Sequence, residues 1–156
     1  MIQHIWTLAC RIGITGRESN NVSLIEVLEE IVLPPMEARP GETPGMVPAF
    51  FEIVTLWARE DENQPERATG RLSLISPQGE TVFGQEYEID LSQFQRIRNT
   101  TRLFGFPMVG AGKYYFRSER RTNVDAPWEE VGGTPLWIRT APQDAAPAGQ
   151  DGRPIG

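Results

Sequence analysis

The stretch Val22-Ser23-Leu24-Ile25-Glu26-Val27-Leu28-Glu29-Glu30-Ile31-Val32-Leu33 decides the fold class, because it is the one segment that reads two ways. As a helix, Ser23 and Glu26 have capping-box spacing, and Leu24, Val27, Leu28 and Ile31 fall at i, i+3, i+4 and i+7. As a strand, Ile25, Val27, Ile31 and Val32 are β-branched, which is disfavoured in a helix and suits a pleated surface. The polar run Gly16 to Asn21 before it also has the length of a hairpin turn. The strand reading is preferred, and the helix stays open as the alternative.

Upstream, residues 2–15 alternate, with Ile2, His4, Trp6, Leu8, Cys10, Ile12 and Ile14 expected on one face of a long first strand. Downstream, Leu33 to Pro48 holds five prolines and two glycines, so no ladder passes through it and a long Pro-rich loop is expected. Ala49 to Ala58 alternates again as a buried strand. Gly70 to Ser76 and Glu80 to Asp90 flank Pro77-Gln78-Gly79, a tight turn whose proline presets φ and whose glycine can take φ > 0. Leu91 to Gln95 reads as one helical turn capped by Asp90. Ile97 to Phe106 and Lys113 to Arg120 flank Pro107 to Gly112 and read as a further hairpin, with Tyr114 and Phe116 inward. Thr134 to Thr140 closes the sheet as an edge strand begun by Pro135. About eight short strands describe an all-β fold, an antiparallel β-sandwich, in one domain over residues 1–140. Residues 141–156 have nothing to bury and are expected to be a disordered tail.

Taken in order, the opening apolar strand, Asn20-Asn21-Val22-Ser23-Leu24-Ile25, the Pro-rich loop, Ser76-Pro77-Gln78-Gly79-Glu80 and Gly112-Lys113-Tyr114-Tyr115-Phe116 resemble an uncharacterised family of small bacterial cytosolic proteins of unknown function. The resemblance covers roughly residues 2 to 140 and its motifs are structural. It implies a β-sandwich and a strand over 22–33, and it brings no catalytic residues.

Composition removes several chemistries. The 156 residues include one cysteine and one histidine, so neither an internal disulfide nor a Cys/His zinc set can form within the chain. No metal and no cofactor are expected. No run nears the ~18 apolar residues of a membrane helix, and the N-terminus lacks signal-peptide features, so a cytoplasmic location is expected. The formal charge of −6 argues against nonspecific nucleic-acid binding. That charge is uneven: seven basic residues and one acid between Arg96 and Arg121 give +6 against −12 for the remainder.

Most candidate sites have an ordinary explanation. Gly110-Ala111-Gly112-Lys113 suggests a phosphate loop, but Pro107 and Tyr114 stand where a glycine and a Ser/Thr are required, so a turn is preferred. His4 and Cys10 on one strand lie roughly 20 Å apart, too far for a dyad. Glu86, Glu88 and Asp90 share a strand face and could serve a carboxylate hydrolase, yet inward Phe83, Tyr87 and Ile89 put them in solvent. The acidic loop Glu60-Asp61-Glu62 with Glu66 is too poor in aspartate for a calcium module. Trp128 and Trp137 are either partner anchors or buried beneath the 122–134 loop.

The arginine cluster is the main candidate. In a 97–106/113–120 hairpin, Arg98 and Arg102 would converge with Arg117 and Tyr115, and Lys113 and Arg120 would extend the patch. The competing explanation pairs these arginines with Glu86, Glu88 and Glu119 on neighbouring strands. The function expected is a non-catalytic module docking to a protein partner. The alternatives are a binder of an anionic small ligand or nucleic acid, and then a carboxylate hydrolase.

Overall fold

The computed structural model describes residues 1–35, 45–47 and 49–142, and over these it is all-β, with eleven strands and no helix. β1 (Ile2–Thr15), β2 (Val22–Val27), β5 (Phe51–Arg59) and β8 (Arg96–Leu103) form a four-stranded sheet in the order β2-β1-β5-β8. β3 (Glu30–Leu33), β6 (Arg67–Ile75), β7 (Thr81–Asp90), β10 (Gly112–Arg121) and β11 (Glu129–Thr140) form a five-stranded sheet in the order β3-β11-β10-β6-β7. The short strands β4 (Met46–Val47) and β9 (Phe106–Pro107) pair with each other. Every pairing is antiparallel except β3 with β11. Most of the Pro-rich loop (36–44 and 48) and tail residues 143–156 lie outside the described residues.

The two sheets face one another as a sandwich because each alternating strand turns one apolar row inward. Ala9, Phe51, Ile53 and Leu103 from the four-stranded sheet pack with Leu72, Leu74, Phe116, Leu136 and Ile138 from the five-stranded one. A second cluster joins Ile2, Trp57, Ala68, Ile89 and Leu91. Along β5 the residue between the two clusters is Thr55, and here the interior is polar. Thr7 Oγ1 lies 2.7 Å from Ser118 Oγ, 3.2 Å from Thr55 Oγ1 and 2.8 Å from His4 Nε2, so the hydroxyls of Thr7, Thr55 and Ser118 each have a partner.

Segment 22–33 is extended, as preferred, but it divides between the sheets. β2 pairs with β1, whereas β3 pairs with β11 in the opposite sheet. Glu26 has φ +54°, and Leu28 N–H donates to the Ala9 carbonyl as the chain crosses. The less exposed positions shift from even (Val22, Leu24, Leu28) to odd (Ile31, Leu33) at this crossing. That parity change accounts for Leu24, Leu28 and Ile31 in the helix-like spacing, whereas Val27 is exposed.

Three further expectations are corrected. A register shift between His4 and Trp6 reverses the faces of β1, so Thr7 and Ala9 point inward while Trp6 and Leu8 lie outside opposite Leu56 and Val54. Residues 91–95 make a bend in which Asp90 accepts from Ser92 N–H, with no helical turn. β11 lies between β3 and β10, and Pro135 is tolerated because β3 pairs only with Trp137–Thr140. The turn at Pro77-Gln78-Gly79 is as expected, with Gly79 at φ +87°.

Candidate functional site

The expected 97–106/113–120 hairpin does not form. β8 pairs with β5 in one sheet, and β10 lies between β6 and β11 in the other. Phe106 and Pro107, at the proposed turn, pair instead with β4. Arg98 and Arg102 are therefore on one outer face of the sandwich, and Lys113, Tyr115 and Arg117 are on the opposite one.

On β10 the arginines have carboxylate neighbours. Arg120 donates twice to Glu129 at 3.0 Å, Arg121 donates to Glu86 at 3.0 Å, and Arg117 lies 3.5 Å from Glu119. Glu119 is only 6% exposed and takes a two-pronged contact from Arg71 at 2.8 and 2.7 Å. Desolvation alone would raise its carboxyl, but Arg71, Arg117 and Ser73 together hold it below the usual range. Trp128 packs against this network, its ring 4.2 Å from the Arg71 guanidinium and 4.4 Å from that of Arg121. Lys113 is exposed opposite Trp137, without a carboxylate partner among the described residues. Tyr115 lies over Gly133, where an added Cβ would come within 2.8 Å of its hydroxyl. Burial, with Glu130 nearby, pushes its phenol up.

The outer face of the four-stranded sheet is different. Gly13 packs against Val54 and donates its N–H to Glu52 at 2.7 Å, so the far end of the β1–β2 hairpin arches over β5. Glu52 also accepts from Arg102 Nε at 3.0 Å. Arg98 reaches the arch through one nitrogen, Nη2, which donates to the Asn20 carbonyl and to Asn20 Oδ1 at 2.8 Å. Asn20 has φ +52°, a left-handed conformation that asparagine tolerates.

Under and beside this tie lie two adjoining hollows of about 490 and 520 Å³. They share Asn20, Val22, Gln93, Phe94, Arg96 and Arg98. Val54 and Thr100 contribute to the floor of one, Trp6 and Leu56 to that of the other. Phe94 is 64% exposed, and neither Arg96 nor Arg98 has a carboxylate partner among the described residues. Arg98 was foreseen in the sequence, but the cleft was not. Its only sequence signal is Phe94, an isolated aromatic in the polar run Ser92-Gln93-Phe94-Gln95.

The remaining candidates are dispersed. Glu86 and Glu88 line a shallow depression of about 500 Å³ with Arg67 and Thr69, but both are exposed, without the burial that keeps a general acid protonated. Asp90 is 3.1 Å from Arg67, and its carboxyl is lowered first by Ser92. Cys10 is fully buried, and burial raises its thiol. Near Gly110 the backbone serves Tyr114, whose hydroxyl donates to the Gly110 carbonyl at 2.8 Å. Among the described residues no group of three His, Cys, Asp or Glu side chains could hold a metal ion. No helix there is long and apolar enough to cross a membrane.

No protein-family model matches the chain, and no curated protein matches it. Among solved structures it aligns with the N-terminal domain of PorA over 86% of this chain and 97% of that one, at 9% identity and a TM-score of 0.26. A likeness of that size carries no inference about function.

Proposed function

We propose that this chain is a non-catalytic β-sandwich interaction module that docks a protein partner in the cleft between the β1–β2 arch and the β7–β8 connection. The make-up of the cleft walls carries this reading. An exposed aromatic and two arginines without carboxylate partners among the described residues surround a floor to which Val54, Leu56 and the partly buried Trp6 contribute. Arginine and aromatic side chains in a concave site are the groups that dominate protein recognition. Phe94→Ala removes one wall without touching the core. The immobilised protein should capture a partner from native lysate that Phe94→Ala and Arg96→Glu both lose; an unchanged set of captured proteins overturns the reading.

The unspent donors of Arg96 and Arg98 favour a second reading, a small anionic ligand or nucleic acid in the same cleft. It requires affinity for inorganic phosphate, citrate or an oligonucleotide that falls steeply with salt. A salt-insensitive affinity removes it.

A further inference from the structure

β8 is the last strand of the four-stranded sheet and β7 the last of the five-stranded sheet. They lie along the same side of the sandwich, joined by residues 91–95. In an antiparallel pair, opposite residues alternate between those exchanging both backbone hydrogen bonds and those whose groups point away. Arg59 N–H donates to the Gln95 carbonyl at 3.1 Å, which fixes the phase of β5 with β8. Arg96, Arg98, Thr100 and Arg102 therefore turn their N–H and C=O groups to the open edge. Leu91 N–H likewise donates to the Glu66 carbonyl at 2.9 Å, so Gly84, Glu86, Glu88 and Asp90 turn theirs outward from β7. Among the described residues none of these outward backbone groups has a backbone partner.

The same residues carry outer-face side chains of opposite sign on the two edges. β8 presents Arg96, Arg98 and Arg102; β7 presents Glu86, Glu88 and Asp90. A half-turn about an axis parallel to the strands, just beyond this side, brings β8 of one copy beside β7 of another. The operation generates two identical antiparallel seams and places the outer faces on the same side of each continuous sheet. It also leaves height along the strands unchanged, so the short β7–β8 connection sets the register. Arg96 meets Asp90 across the seam, followed by Arg98 with Glu88, Thr100 with Glu86, and Arg102 with Gly84.

We propose that the protein forms a two-fold dimer through these two β7–β8 seams. The occupant of each edge is a second copy of this chain, because its own charge pattern complements the edge at the register that its own connection imposes. Pairing β8 with β8, or β7 with β7, would oppose like charges, which selects the mixed seam. Tyr87, Phe83 and Ile97, partly buried at the mouth between the sheets, would be covered by the partner. This proposal does not rest on the docking reading, and Phe94→Ala leaves the seams intact.

Sedimentation equilibrium of the full chain tests it. The expected mass is twice 17.5 kDa. Glu88→Arg, at an exposed position without an ion pair among the described residues, should give the monomer mass, and Glu88→Arg with Arg98→Glu should restore the dimer. Thr100→Pro should also dissociate it, since that N–H faces the seam and proline leaves the ladder to β5 unbroken. A wild-type chain that stays at 17.5 kDa to its solubility limit overturns the proposal, as does a dimer indifferent to both Glu88→Arg and Thr100→Pro. A folded double variant that stays monomeric overturns the register.

Discussion

β8 and β10 carry most of the basic segment between Arg96 and Arg121, yet the fold treats their charges differently. β10 is a central strand with a neighbour on each side, and those neighbours supply Arg71 and Glu129, while Glu86 lies one strand further out. Each of its arginines has a carboxylate beside it, Arg117 the buried Glu119, Arg120 Glu129 and Arg121 Glu86. Among the described residues β8 is an edge strand with β5 alone beside it, and β5 offers one outer-face carboxylate, Glu52, which Arg102 takes. Arg96 and Arg98 are left with donors to spend. Strand position in the sheet, more than local charge density, separates arginines that hold the fold together from arginines that can bind something else.

The contrast breaks most visibly at Glu119. Glu119→Gln leaves the Arg71 and Arg117 guanidiniums without their shared carboxylate in a poorly solvated site, and chemical denaturation should show a loss of about 3 kcal/mol. Trp128→Ala strips the apolar surface from beneath two guanidiniums, and the same assay should record a loss of about 1–2 kcal/mol.

His4 sharpens the comparison from the interior, where neither strand can supply an acid. Burial lowers its pKa, with the Val131 backbone contact opposing. The unfolded chain therefore binds the proton first. The stability due to neutral His4 is complete above about pH 6.5 and is lost as pH falls from there through the folded value. Wild type should lose stability as pH falls below about 6.5, and His4→Gln should flatten that part of the profile. At the small end, Arg96→Ala should change stability by less than about 0.5 kcal/mol, because no carboxylate among the described residues depends on it. A loss comparable to that of Glu119→Gln would erase the distinction between the two strands.

What the sequence disclosed was local. The β6–β7 turn was legible because Pro77 and Gly79 dictate backbone angles without reference to the rest of the chain. Inward Tyr114 and Phe116 were legible from alternation alone. Pairing was not, because alternation says which face a residue occupies and nothing about which strand lies beside it. Residues 97–106 and 113–120 have the spacing of a hairpin, yet Phe106 and Pro107 leave to pair with β4, and the two strands enter different sheets. The bulge beside His4 and the crossing at Leu28 each shift parity by one residue, which a pattern read at constant period cannot register. The cleft was hidden for the same reason, since Asn20 and Arg98 meet across 78 positions of chain.

The most direct measurement of the difference between the two strands is residue-resolved amide hydrogen exchange as a function of protein concentration. Amides of Arg96, Arg98, Thr100 and Arg102 should exchange rapidly in dilute protein and become protected as concentration rises, together with those of Glu86 and Glu88. Amides of β10 should be protected throughout. Edge amides of β8 as protected as those of β10 in dilute protein, or unprotected at every concentration, would contradict the account.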